Sequence, residues 1–335
     1  MLKQLLVHAI SSAAPDAELD ALQVVPTTSC RDAFGNDLFL VFSGGSTYPR
    51  YVVKMARDAA YNFKIENEYR VLEALGAVGD LAEHLPRALH LGHLRGRAFI
   101  IQLGVDGEDL SNVLLKTRQD DEAYDLVRLA ARLMSRINRT ALSRKLSLPV
   151  ETNSLALNDD LGLDTVVPSL GKKGRKSLRR SHHDLTGLDR KFFVHGDYWP
   201  TNLMLGRGAS PDIAGVIDWE FALPDSPVPT DLAWCLYNSA VILSLRRDHE
   251  ISEYDAFRSV FFGEGPDTDL LREVCREYLA GFKLGPEVFP QILGVALLQL
   301  ANRELRAYGR HGKMDILCGK MLDHFLENES DLSVN

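Results

Sequence analysis

Cysteine is scarce in this chain: Cys30, Cys235, Cys275 and Cys318 are four in 335 residues, scattered and without a Cys-x2-Cys pair. A chain this long can bury a core without disulfide staples, so free thiols in a reducing compartment, the cytoplasm, are expected. Long hydrophobic runs are missing too. No apolar stretch approaches the roughly 20 residues needed to span a bilayer, and the opening Met1–Ile10 is broken by His8 and followed by Asp16, Glu18 and Asp20, which does not read as a secretory signal. Positive charge is in deficit, with 38 Lys and Arg against 46 Asp and Glu and a net charge of −8, so the basic footprint of a nucleic-acid-binding protein is absent. No internal repeat or low-complexity segment stands out. What remains is the composition of a globular chain, 45% hydrophobic and 25% charged, long enough for two lobes.

Against that background one run is dense with chemistry. Phe193-Val194-His195-Gly196-Asp197-Tyr198-Trp199-Pro200-Thr201-Asn202 is followed by Ile217-Asp218-Trp219-Glu220 at the end of an apolar strand. The Asp-x4-Asn spacing places a carboxylate and a carboxamide on one short loop, where the first takes up a hydroxyl proton and the second holds a metal ion. Asp218 adds an oxygen ligand from a second direction, which suits the octahedral, oxygen-seeking Mg²⁺. The pattern reads as a phosphoryl-transfer site.

Upstream, Leu22–Val25, Asp37–Phe42 and Tyr51–Met55 read as strands, and Lys54 closes the third. The helix after it carries Ile65, Glu68, Leu72 and Leu75 on one stripe, with Glu68 as the only expected charge there and Glu66, Arg70 and Glu73 facing water. A carboxylate on a buried face needs a partner, and Lys54 is the expected one. Pro86–Leu94 and Ala98–Leu103 read as two more strands, Asp121–Arg139 as an amphipathic core helix, and the chain after Pro229 as almost wholly helical. Between about 142 and 190 the periodicity fades. Within that stretch Gly171–His183 carries six Lys and Arg and no acid, which reads either as a solvated loop or as a mobile lid for an anionic acceptor or partner.

His-Gly-Asp-x4-Asn and Ile-Asp-Trp-Glu, in this order and late in the chain, resemble the marks of the aminoglycoside phosphotransferase family, small-molecule kinases related to choline and protein kinases. The resemblance implies a bilobal, protein-kinase-like α+β fold: an N-terminal nucleotide-binding lobe over 1–103, a hinge at 104–108 and a mainly helical C-terminal lobe over 109–335 with an insertion at about 142–190. It implies ATP and Mg²⁺, with Asp197 as the catalytic base and Asn202 and Asp218 as metal ligands. Lys54, anchored by Glu68, is expected on the phosphates. The strand order assigns the loop over those phosphates to 29–36, with Ser29 and Gly35, although that loop lacks the protein-kinase glycine pattern; Gly44-Gly45 then reads as a plain hairpin turn. The adenine is expected against backbone groups from Gln102 to Gly104. A small-molecule hydroxyl is the expected acceptor, with neither nucleic acid nor membrane insertion. His195 is expected to hold the loop rather than to react, Asp231 to cap its helix or brace the catalytic loop.

Other readings fall short. Gly171–Ser177 has Arg175 where a phosphate-loop NTPase needs glycine. A zinc site on His182, His183, Asp184 and His195 would leave Lys54, Glu68 and Asn202 unexplained. Trp199, Trp219 and Trp234 suit core packing better than a box for a quaternary cation. A catalytically silent pseudokinase is disfavoured by the complete set of charged residues, and a protein kinase by the short span from Trp219 to Thr230.

Overall fold

The computed structural model describes residues 4, 7, 10, 11, 22–28, 35–143, 170–188, 190–208, 211–308 and 317–332. These fall into two compact units, one built from the chain up to Asp109 together with Asn202–Ala222, the other from the rest.

The first unit is a five-stranded antiparallel sheet of β1 (Gln23–Thr28), β2 (Asn36–Phe42), β3 (Tyr51–Ala56), β4 (Ala88–Leu94) and β5 (Arg97–Leu103), in the order β1-β2-β3-β5-β4. Side chains alternate across a strand. Tyr51, Val53 and Met55 of β3 therefore share one face with Val41, Phe99 and Ile101, and Ile10 and Leu22 close over that cluster. Each such side chain contributes on the order of 1.5–3 kcal/mol on burial. Directly opposed residues share a face, so Leu38, Lys54 and Ile100, and beside them Leu40, Val52 and Gln102, form the other side. Helix α1 (Asn62–Gly76) packs there. The β2–β3 connection turns through Gly44 and Gly45, both at positive φ (56° and 78°), as a hairpin turn requires. A three-stranded sheet of Glu108–Asp109, Leu203–Leu205 and Ile213–Val216 completes this unit.

The second unit is mainly helical: α2 (Leu110–Lys116), α3 (Asp120–Ser143), α4 (Lys172–Thr186), α5 (Thr230–Arg247), α6 (Glu253–Phe261), α7 (Pro266–Gly281), α8 (Phe289–Tyr308) and α9 (Leu317–Asn328). Among its described residues one strand pair joins Phe192–Val194 to Leu223–Ser226. Helix α5 is the axis of the unit, buried almost all round from Thr230 to Ser244. No single helix among the described residues is long and apolar enough to cross a membrane.

Helix α4 corrects one expectation. The basic stretch is neither a solvated loop nor a free lid; it is a helix whose Leu178, Ser181 and Leu185 are buried against α8 and α9, with Lys172, Lys173, Lys176, Arg179 and Arg180 outward. Its close packing shows at Gly294 of α8, where a Cβ would lie 2.7 Å from the ring of Phe325 and 3.4 Å from Leu178. Those three buried positions lie three and four residues apart, a helical stripe in the sequence. Lysines at the helix N-terminus, where the helix dipole disfavours them, and Gly174 in its interior mask that signal.

Candidate active site

Strand β3 delivers Lys54 to the α1 face of the sheet. There its Nζ donates to Glu68 Oε1 at 2.8 Å and to Asp218 Oδ1 at 2.8 Å. Glu68 is completely buried, whereas Glu66 pairs with Arg70 and His93 at the surface. Burial lowers the Lys54 pKa, but the carboxylates of Asp218, Glu68 and Glu220 outweigh it and hold the ammonium well above the usual lysine range. For Glu68 burial dominates, pushing the carboxyl up to about 7 against the pull of Lys54, with Asp218 and Glu220 adding to the rise. The high lysine value is the one that agrees with the contact geometry, an ammonium held between two carboxylates.

The stripe on α1 carries a second buried charge, which the sequence pattern alone does not mark. Lys64 is 1% exposed and meets Glu220 Oε1 at 2.8 Å, while Asn36 Nδ2 donates to Glu220 Oε2 at 2.6 Å. Asn67 Nδ2 donates to the carbonyls of Glu220 and Ala222. Glu220 thus ties the segment after Asp218 to both β2 and α1, and burial together with Asp218 raises its pKa. Lys64 lies one position before Ile65, at the margin of the apolar stripe, where a lysine ordinarily reads as a solvent-facing stem; the acid opposite it was the missing signal.

Asn202 and Asp218 flank a hairpin. Leu203 pairs with Val216, and the Ile217 amide donates to the Asn202 carbonyl at 2.9 Å, so the two residues emerge at one end of the same ladder. Asp218 sits in the left-handed region at φ 71°, ψ 55°, a backbone state that non-glycine residues hold only when the surroundings enforce it. Trp219 helps to do so, donating from Nε1 to the Val216 carbonyl. The oxygen donors fit a hard divalent cation: Asn202 and Asp218 would hold it, and carboxylate oxygens of Glu68, Asp218 and Glu220 lie within 4.8 Å of one another.

Gln102 shares the Lys54 face and its side-chain Oε1 is buried without a hydrogen-bond partner. The amides of Leu103 and Gly104 are already bonded to the carbonyls of Arg87 and Arg50. Gly104 passes so close to Pro49 that a Cβ would fall 1.8 Å from its carbonyl oxygen, which admits only glycine. Gly35 is buried at the bend before β2; Ser29 lies outside the described residues.

In the second unit the loop bearing Asp197 is gripped by its main chain. Asp231, at the start of α5, accepts the His195 amide at 2.7 Å and the Gly196 amide at 2.9 Å. His195, fully buried, accepts the Asp197 amide at Nδ1, 3.2 Å away, which leaves its proton on Nε2. Gly196 supplies the positive φ of 77° that turns the loop. Arg303 of α8, a residue no motif singled out, donates from Nη2 to Asp197 Oδ1 at 3.0 Å and from Nη1 to the Gly196 carbonyl at 3.0 Å.

The sequence matches the phosphotransferase enzyme family over residues 29–272, most of its length. The chain belongs to that family. No curated protein sequence matches it. Among solved structures, an aminoglycoside-3'-phosphotransferase of type VIII is 18% identical, with 88% of this chain and 99% of that one covered and a TM-score of 0.50. The aminoglycoside phosphotransferase APH(3'')-Id of Streptomyces rimosus, solved with ADP and streptomycin, is 15% identical over 89% of this chain and 99% of its own, with a TM-score of 0.47. The first likeness, the antiparallel sheet and the helical second unit agree on the protein-kinase-like α+β fold.

Proposed function

We propose that this phosphotransferase moves the γ-phosphoryl group of ATP to a hydroxyl of a small molecule. The observation that carries the reading is the Lys54 ammonium held at 2.8 Å by both Glu68 and Asp218, which draws a strand lysine, a helix glutamate and the aspartate of the Ile-Asp-Trp-Glu motif into one cluster. In this reading Lys54 meets the α- and β-phosphates, and Glu68 keeps it there. Asn202 and Asp218 would hold Mg²⁺, which would neutralise phosphate charge that otherwise repels the incoming oxygen. Gln102 Oε1, a buried acceptor lacking a partner, suits the amino group of a nucleobase. Since the amides at 103 and 104 are committed, backbone pairing with the base there falls to carbonyl groups.

Asp197 orients the acceptor hydroxyl. As the acceptor oxygen bonds to the γ-phosphorus, the bond from that phosphorus to the β–γ bridging oxygen breaks, ADP leaves with the electron pair, and the hydroxyl proton passes to Asp197 and then to water. With a loose transition state the carboxylate acts chiefly by positioning and by late proton acceptance. The complete set of Lys54, Glu68, Asp197, Asn202 and Asp218 weighs against a silent nucleotide-binding module.

A screen of alcohols, amino sugars and antibiotics for acceptor-dependent ADP release tests the proposal. With the responding acceptor, Asp197→Asn is expected to lose at least about a hundredfold in kcat, the usual size of a lost general base. Turnover in that variant close to the parent would remove Asp197 from the mechanism.

A further inference from the structure

Arg303 stands 106 residues beyond Asp197 in the chain and yet meets its carboxylate. Three contacts fix it: Nη2 on Asp197 Oδ1, Nη1 on the Gly196 carbonyl, and the guanidinium carbon 5.9 Å over the ring of Trp234. A guanidinium is a flat, rigid fork, so with two N–H groups and one face held, its plane is set. Both residues are largely shielded, Asp197 with 14% and Arg303 with 29% of the side chain exposed, so the pair is not an ordinary solvated surface bridge.

The backbone of the loop is held by other means. Asp231 takes the amides of His195 and Gly196, and His195 takes the amide of Asp197. Arg303 acts on a different degree of freedom, the torsion of the Asp197 side chain. We infer that Arg303 is a positioning residue for the base: by holding Oδ1 it sets the direction in which Oδ2 meets the acceptor hydroxyl. The inference rests on the phosphotransferase reading above. Lysine cannot replace it, because a single ammonium on a flexible stem does not span the carboxylate and the Gly196 carbonyl with fixed geometry. The contribution belongs to orientation, where a displacement of about 1 Å costs on the order of a hundredfold in rate.

The test compares the parent with Arg303→Met, Arg303→Lys, Asp197→Asn and the Asp197→Asn/Arg303→Met double variant, reading acceptor-dependent ADP release, the KM for ATP and thermal melting. Both Arg303 variants are expected to lose about ten- to a hundredfold in kcat, with the KM for ATP little changed. The double variant should be no slower than Asp197→Asn, since no carboxylate remains to be aimed. Parental kcat in Arg303→Met, or losses that multiply in the double variant, would overturn the inference while leaving the phosphotransferase reading intact. Should Arg303→Met fail to fold, Arg303→Lys decides alone: full kcat with lysine overturns the inference, and a loss at unchanged melting temperature supports it. A parent that releases no ADP with any acceptor overturns both readings.

Discussion

Asp231 has no exposed surface, and both of its carboxylate oxygens are taken by main-chain amides of the Asp197 loop. Burial pushes its carboxyl from 3.8 up to about 7, against the pull of those two amides and of Asn138. Because the folded value lies above the unfolded one, the folded state binds the extra proton between them. The stability this adds is complete below the unfolded value and is lost as pH rises through about 7. A shift of that size corresponds to at most about 4 kcal/mol. Asp231→Asn removes the titration. Its unfolding free energy relative to the parent, measured by urea denaturation at about pH 5 and about pH 8, should therefore rise with pH by up to about 3 kcal/mol, the share of the shift that lies between pH 5 and about 7. A difference that stays flat would mean that Asp231 does not titrate in this range. From the sequence Asp231 was open to two readings, an acid in the first turn of a helix or a brace for the catalytic loop. Its bonds to His195 and Gly196 decide for the second, and only the tertiary structure could supply them.

At the scale of elements, α1 shows how far periodicity reaches. Ile65, Glu68, Leu72 and Leu75 mark its inner stripe, and that stripe delivers Glu68 to Lys54. Glu68→Ala leaves a buried ammonium with one partner fewer, and removing one member of a buried pair costs about 3–5 kcal/mol. It should lower the melting temperature and raise the KM for ATP or lower kcat, while Glu66→Ala stays within about 0.5 kcal/mol of the parent. Equal effects would refute the assignment of faces. The same helix shows where periodicity stops. Lys64 is as buried as its apolar neighbours, because Glu220, distant in sequence, meets it. Helix α4 is hidden from periodicity for a related reason: its register is set by Leu178 and Leu185 against α8 and α9, while its composition is that of a solvated loop. Leu178→Ala should cost about 2–5 kcal/mol in chemical denaturation; a neutral result would mean that α4 is not docked. Short motifs were legible because their spacing is local, whereas Arg303 and Lys64 are paired through folding alone.

At the scale of the molecule, the residues proposed for nucleotide and metal, Lys54, Glu68, Asn202 and Asp218, belong to one unit, and the proposed base Asp197 with Asp231 and Arg303 to the other. Substitutions should sort accordingly. Asp218→Ala is expected to weaken Mg²⁺-dependent ATP binding, seen by calorimetry with and without the metal, whereas Asp197→Asn should bind Mg-ATP as the parent does. Tight Mg-ATP binding by Asp218→Ala would show that the metal is held elsewhere. The three tryptophans divide along the same line. Trp219 follows Asp218 in the first unit; Trp199 and Trp234, their ring centroids 6.0 Å apart, lie in the second, one two residues past Asp197 and the other beneath Arg303. The indole emission of this chain is thus a built-in optical gauge with one channel in each unit. Trp219→Phe leaves emission only in the unit that holds Asp197, and Trp199→Phe/Trp234→Phe leaves it only beside Asp218, so the arrival of a nucleotide and of an acceptor can be followed separately by stopped-flow fluorescence without any attached dye.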